Sequence, residues 1–192
     1  AFLYGMDLNL MRWVNKCLYR RCSLKNFYND DYKECVNCFM IKILFVCHGN
    51  ICRSPMAEFI MKDLVHREGL DNEFYVGSAA TSTEEIWNGV GNPVYPPARA
   101  KLAEHGISCD GKRARQITKK DYEEFDLIIG MDHANLRNIK RICGRDDKTH
   151  LLMEYAGSSR DVADPWYTDD FDAAWNDIYR GCKGLLEELL LF

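Results

Sequence analysis

The sequence predicts an α/β fold built on a parallel sheet. Short β-branched apolar runs alternate along the chain with segments of helical apolar spacing, and Gly or Pro punctuates the junctions. Composition agrees: 192 residues, 47% hydrophobic and 28% charged, suit one globular domain with an appendage. This balance excludes a disordered, collagen-like or multi-span membrane protein. A net charge of −4 provides no basic field for nucleic acid. No stretch reaches the roughly 18 apolar residues of a membrane span, so no membrane partner is expected.

The regular pattern begins at Met40, dividing the chain into an extension over 1–39 and a domain over 40–192. Ile41–Cys47 is a short apolar run typical of a buried strand. Met56, Ile60, Met61, Leu64 and Val65 give helical spacing over Arg53–Glu68, and Gly69 ends it. Glu73–Ala79 reads as a second strand, and Thr81–Pro97 as loop. Ala98–His105 reads as a helix stopped by Gly106, and Thr118–Phe125 as a short helix opened by Thr118. Asp126–Met131 is a third strand. Asp132 caps a helix reaching Cys143, and His150–Met153 is a fourth, short strand. Phe171, Ala174, Trp175, Ile178, Cys182, Leu185, Leu186 and Leu189 step by three and four along one long amphipathic helix.

Residues 1–39 carry +2, leaving −6 for the rest, and hold four of nine cysteines. An odd cysteine count argues against a fully paired disulfide scaffold. The apolar start Ala1–Met6 is cut by Asp7 and Arg12, leaving no signal-peptide core. A reducing, cytoplasmic protein is expected. Three readings of the extension stay open: an upstream translated segment with Met40 as the natural start, a leader or docking arm, and a zinc site. Cys17, Cys22, Cys35 and Cys38 would hold the zinc tetrahedrally.

In parallel α/β sheets, ligands bind beyond the C-terminal strand ends. There the first strand runs into Cys47-His48-Gly49-Asn50-Ile51-Cys52-Arg53-Ser54-Pro55. A turn between strand and helix presents backbone N–H groups and a helix N-terminus to an anion. Gly49 and Asn50 tolerate positive φ, and Pro55 suits a first helical turn. Such a cradle, with Arg53 and the Ser54 hydroxyl, favours a Cys47 thiolate, which is the nucleophilic form. Arg53 has the fork that grips two oxygens of a tetrahedral oxyanion. The plain alternative is a buried structural cysteine beside a surface arginine. Asp164, in Ala163-Asp164-Pro165-Trp166-Tyr167, is the candidate acid. It can protonate a leaving oxygen and later activate water. Its plain alternative is a loop Asp before a turn.

These motifs carry a resemblance. Residues 40–192 resemble the low-molecular-weight protein tyrosine phosphatase family, whose N-terminal signature matches Val46–Pro55. Gly77-Ser78-Ala79, Arg113-Ala114-Arg115-Gln116, Gly130-Met131-Asp132 and Asp164-Pro165-Trp166-Tyr167 follow in the family's order and spacing. The resemblance implies a three-layer α/β sandwich of the phosphotyrosine phosphatase I-like type, a four-stranded parallel sheet with helices on both faces. It implies a phosphocysteine on Cys47, phosphate binding by Arg53, and acid–base work by Asp164. Asn50 would hold the loop's shape, and Ser54 would hydrogen-bond the thiolate. Cys52 would be the partner for a reversible disulfide with Cys47. His48, Gly49 and Ile51 complete the loop. Trp87 on one side, with Trp166 and Tyr167 on the other, would wall the substrate ring.

Tyrosine-phosphorylated proteins are the implied substrates, with a cognate tyrosine kinase as a further partner. No metal and no cofactor are implied. Phosphoarginine phosphatases of the same superfamily carry Thr at the position of Ile51, which favours phosphotyrosine here. Arsenate reductase and a phosphotyrosine-binding module are the other readings. The first needs a closely spaced cysteine pair, and the second would lack the nucleophile or the acid. Two departures stand out. Lys112 occupies a place where many members have a His supporting the loop, and Asp132 is the candidate partner for it. Members also usually begin near the position of Met40.

Overall fold

A computed structural model describes residues 40–191, and the three readings of residues 1–39, the four-cysteine zinc site included, lie outside them. The chain runs β1 (Ile41–Cys47), α1 (Arg53–Arg67), β2 (Phe74–Ala80), β3 (Ile86–Trp87), β4 (Val90–Gly91) and α2 (Pro96–Glu104). It continues through α3 (Lys119–Glu124), β5 (Leu127–Gly130), α4 (His133–Cys143), β6 (Thr149–Leu151), α5 (Pro165–Thr168) and α6 (Phe171–Leu190). A 3₁₀ turn, Leu152–Ala156, follows β6.

The main sheet has the order β2-β1-β5-β6, and every pair is parallel. β1 lies inside it and is buried from Ile43 to Cys47, as its unbroken apolar run requires. Alternation sends Leu44 and Val46 to one face, where they join Ile117, Tyr122, Phe125, Ile128 and Ile139 beneath α3 and α4. Ile43 and Phe45 turn to the opposite face, the side of α1 and α6. Helices therefore cover both faces, giving the three layers. Among the described residues, no helix is long and apolar enough to cross a membrane.

The caps explain where helices begin. Thr118 accepts from the Asp121 N–H while Asp121 reaches back to Thr118, a reciprocal box that opens α3. Asp132 and Asn135 make the same box at α4. Gly144, at φ 79°, ends α4.

Several boundaries differ from the sequence reading, each for a local reason. α2 opens at Pro96 rather than Ala98, because prolines lack only an N–H that the first turn leaves unpaired anyway. β2 runs from Phe74 to Ala80, one residue further along than expected, because Ala80 still pairs with Cys47 at the end of β1. The segment read as loop over Thr81–Pro97 contains the β3–β4 hairpin. Its Asn88-Gly89 turn has φ 49° and 78°, the double positive φ of a tight hairpin. β6 is Thr149–Leu151 rather than His150–Met153, since the chain tightens into the 3₁₀ turn.

That turn fits against α6 only through glycine. A Cβ on Gly184 would sit 1.9 Å from the Tyr155 carbonyl oxygen. A Gly→Ala change in an open helix stabilises by about 0.5–1 kcal/mol, whereas overpacking costs about 1–3 kcal/mol. Gly184→Ala is therefore expected to lower the urea unfolding midpoint. An unchanged or raised midpoint would contradict this packing.

Candidate active site

The loop from Cys47 to Arg53 joins the inner strand to α1. Asn50 is its pivot, a buried residue at φ 57°, a left-handed conformation that Asn tolerates better than most residues. Gly49 does not share the positive φ expected of it. A Cβ there would lie 3.0 Å from Glu85 Cγ, a tight approach that the Glu85 side chain would have to yield to.

Asn50 is held on every side. Its N–H donates to Cys47 Sγ at 3.3 Å, and its Oδ1 accepts from the Arg115 N–H at 3.1 Å. Its Nδ2 donates to Ser54 Oγ at 2.9 Å and to Ser78 Oγ at 2.8 Å. Each hydroxyl carries a single proton, so both must pass it outward. Ser78 donates to Glu58 Oε2 at 2.6 Å. Ser54 lies 3.0 Å from Cys47 Sγ, against 3.4 Å from the Ala79 carbonyl, so its proton goes to the sulfur. The chain of donors ends in two groups that accept best as anions.

Glu58 is the support that sequence reasoning missed, being hidden on the buried face of α1. Lys62 Nζ lies 2.5 Å from its Oε1, and Lys112 Nζ 2.7 Å from its Oε2. Burial pushes the Glu58 carboxyl up, but the Lys112 charge, with hydrogen bonds from Lys112, Lys62 and Ser78, outweighs it and holds the carboxyl below its ordinary value. Burial also pulls the Lys112 ammonium down, despite Glu58. The expected pairing of Lys112 with Asp132 is not found. Lys112 reaches Glu58 and the Ser78 carbonyl, whereas Asp132 turns to Arg53.

Arg53 is buried and sits between two carboxylates. Nη1 lies 2.9 Å from Asp132 Oδ2, and Nη2 lies 2.6 Å from Asp164 Oδ2. Burial works against its charge, but Cys47, Asp164 and Asp132 outweigh burial and strengthen it. Asp164 itself is extended, as the following proline demands, and accepts from the Trp166 N–H at 3.1 Å. Cys52 is nearly buried. Burial foremost, then the charge of Cys47, pushes its thiol up to about 12.

The structure thus brings Cys47, Asn50, Arg53, Ser54 and Asp164 together. His48 stands exposed, with Nε2 2.8 Å from Glu84. Ile51 packs inward and its carbonyl accepts from Tyr95 N–H at 2.8 Å. The Tyr95 ring lies 5.5 Å from Trp166, so an unforeseen aromatic ties that wall to the loop. Tyr167 is 86% exposed and Trp87 is 68% exposed, which rules out a core role for either ring. Trp87 stands on the hairpin whose Glu84 and Glu85 touch the loop.

Comparison with known proteins identifies the family. Residues 42–190 match the family model of low molecular weight phosphotyrosine protein phosphatases, and the chain belongs to that family. It is 40% identical over 154 residues to the low molecular weight protein-tyrosine-phosphatase YfkJ of Bacillus subtilis, covering 78% of this chain and 96% of that one. The crystal structure of YfkJ superposes with a TM-score of 0.74, covering 79% of this chain and 95% of that chain. A low molecular weight phosphotyrosine protein phosphatase of Gallus gallus is 39% identical over 153 residues, covering 76% and 94%. The structure of a drosophila arginine phosphatase is also similar, at 31% identity and a TM-score of 0.71, covering 78% and 98%.

Because its folded-state carboxyl lies below the ordinary value of 4.5, Glu58 adds stability that is fully present above that value. The contribution is lost as pH falls through the folded-state value. Urea unfolding between about pH 6 and pH 3 is expected to show a steeper loss for the wild type than for Glu58→Gln. Equal losses would mean that the carboxyl is not held as the geometry indicates.

Proposed function

We propose that the protein hydrolyses phosphotyrosine in proteins through a phosphocysteine on Cys47. The observation that carries this reading is Cys47 Sγ at 3.0 Å from a Ser54 hydroxyl whose proton has nowhere better to go, beside the buried Arg53 fork. A phosphoryl group entering the loop takes the Arg53 arm now engaged by Asp164. The carboxyl is released toward the leaving oxygen. The Cys47 thiolate then forms the S–P bond as the P–O bond to the phenol breaks, and Asp164 gives its proton to that oxygen. In the second step Asp164 takes a proton from water, which attacks phosphorus, and inorganic phosphate leaves with the thiolate restored. Asp132 keeps Arg53 in place throughout. Arg53, the loop amides and Asp164 manage the charge of both steps.

Trp166 on Tyr95, with Tyr167 and Trp87 exposed nearby, supports an aryl substrate, and bulky Ile51 narrows the loop beneath it. A phosphoarginine substrate is the second reading, favoured by the likeness to the drosophila enzyme. Cys52, in the same loop, is the partner we propose for an oxidised Cys47, and burial, which keeps its thiol protonated, makes that pairing slow. The proposed setting is reducing and cytoplasmic, with a tyrosine kinase as the opposing partner.

Phosphotyrosine and phosphoarginine peptides, offered side by side without metal, test the substrate. Turnover of the first alone is expected, and turnover of the second alone overturns the specificity. Asp164→Asn is expected to lower kcat on the phosphotyrosine peptide by about 10²–10⁴-fold. The loss should shrink for an aryl phosphate whose leaving group needs no proton. Equal losses for both substrates would deny Asp164 the acid role.

A further inference from the structure

Behind the phosphate loop lies a recess of about 600 Å³, on the outer edge of β2 and between α1 and the segment 106–115. Its size falls in the range of small-ligand sites. β2 is an edge strand. Because Glu73 accepts from the Ile41 N–H, Glu73, Tyr75 and Gly77 face β1, and the backbone groups of Phe74, Val76 and Ser78 turn outward to the recess. The Ser78 carbonyl takes Lys112 Nζ at 3.2 Å.

The floor carries an unbalanced charge. Two ammonium groups, Lys62 and Lys112, share the single carboxylate of Glu58. Around the rim, Asp63 meets Arg67 at 2.8 Å and Arg115 meets Asp121 at 2.8 Å, while the Asp71 carboxylate lies 3.1 Å from the His66 ring, at the outer end of the recess. Within the cluster itself two ammonium groups meet one carboxylate, with Lys112 nearly buried and Lys62 half-exposed to the cleft, beside outward-turned backbone N–H groups and the rings of Phe59 and Tyr75. A flat carboxylate repeats the group these lysines already hold, and the volume leaves room for a carbon skeleton bearing a second.

We propose that this recess is an inhibitory site for a small di- or tricarboxylate, acting on the phosphatase activity inferred above. The bound carboxylate competes with Glu58 for Lys62 and Lys112. Glu58 then loses the cations that fix it, and with them the anchor of Ser78. Ser78 is one of the two hydroxyls that orient Asn50, so Asn50 loosens, and with it the Ser54 proton on Cys47. The consequence falls on the chemical step as well as on phosphate binding.

Citrate is the probe, with p-nitrophenyl phosphate as substrate. A carboxylate that merely enters the phosphate loop raises KM and leaves kcat alone. Citrate in the recess is expected to lower kcat at saturating substrate by about fivefold, at the low end of site-to-site coupling. The ratio of kcat with and without citrate should return to one in Lys62→Met. A second readout does not need turnover. With inorganic phosphate saturating the loop, citrate is expected to move the amide resonances of Val76 and Ser78. If the aryl phosphate is not hydrolysed at all, the phosphatase reading fails, and the amide shifts still report whether the recess binds. A change in KM alone, an equal fall of kcat in Lys62→Met, or amides that stay still would each overturn the proposal.

Discussion

The site depends on holding one residue in a conformation its backbone disfavours. A non-glycine residue in the left-handed region costs about 1–2 kcal/mol, less for Asn. Asn50 accepts this because every polar atom of its side chain is matched inside the protein, where leaving one unmatched costs about 1–3 kcal/mol. Glycine would reach the same φ without strain, but it would leave Ser54, Ser78 and the Arg115 N–H without their partner. The geometry of the loop is therefore stored in side-chain hydrogen bonds, and the backbone follows them.

From Asn50 the constraint spreads in two directions. Toward Cys47 it fixes the Ser54 proton on the sulfur. Toward the back of the molecule it runs through Ser78 to Glu58, which two lysines keep ionised. A neutral relay in the position of Lys112 would support Asn50 by donating and accepting. A lysine has only donors, so here the support becomes an ion pair, with Glu58 as the acceptor in between. Arg53 is shared in the same way: Asp132 holds one arm and Asp164 the other, so the arm proposed to grip phosphate is the one that now holds the proposed acid.

Much of this was legible in the sequence because its signals are local. The β1 run, Asn50 in its turn, Arg53-Ser54-Pro55 and Asp164-Pro165 each state their own backbone geometry within a few residues, whereas the positive φ expected of Gly49 is not found. The long α6 helix was readable from apolar spacing, and α3 and α4 from Thr118 and Asp132 as caps. The Asn88-Gly89 hairpin was equally local and was passed over among the surrounding prolines. What remained hidden depends on tertiary contact. Nothing near Glu58 in the chain marks it as the acceptor for Lys112, which is 54 positions away. Tyr95 reads as a loop aromatic until the fold sets it between Ile51 and Trp166. Asp132 signals a helix cap, and only the parallel pairing of β1 with β5 brings it to Arg53 as well.

The central claim is that Cys47 itself accepts the phosphoryl group. It is tested most directly by rapid acid quench of Asp164→Asn turning over p-nitrophenyl phosphate, whose leaving group needs no proton, followed by mass spectrometry to locate phosphate on the protein. Slowed release of the intermediate is expected to leave one phosphoryl group on Cys47, and none in Cys47→Ala. A phosphoryl group on any other residue, or continued turnover by Cys47→Ala, would contradict the account.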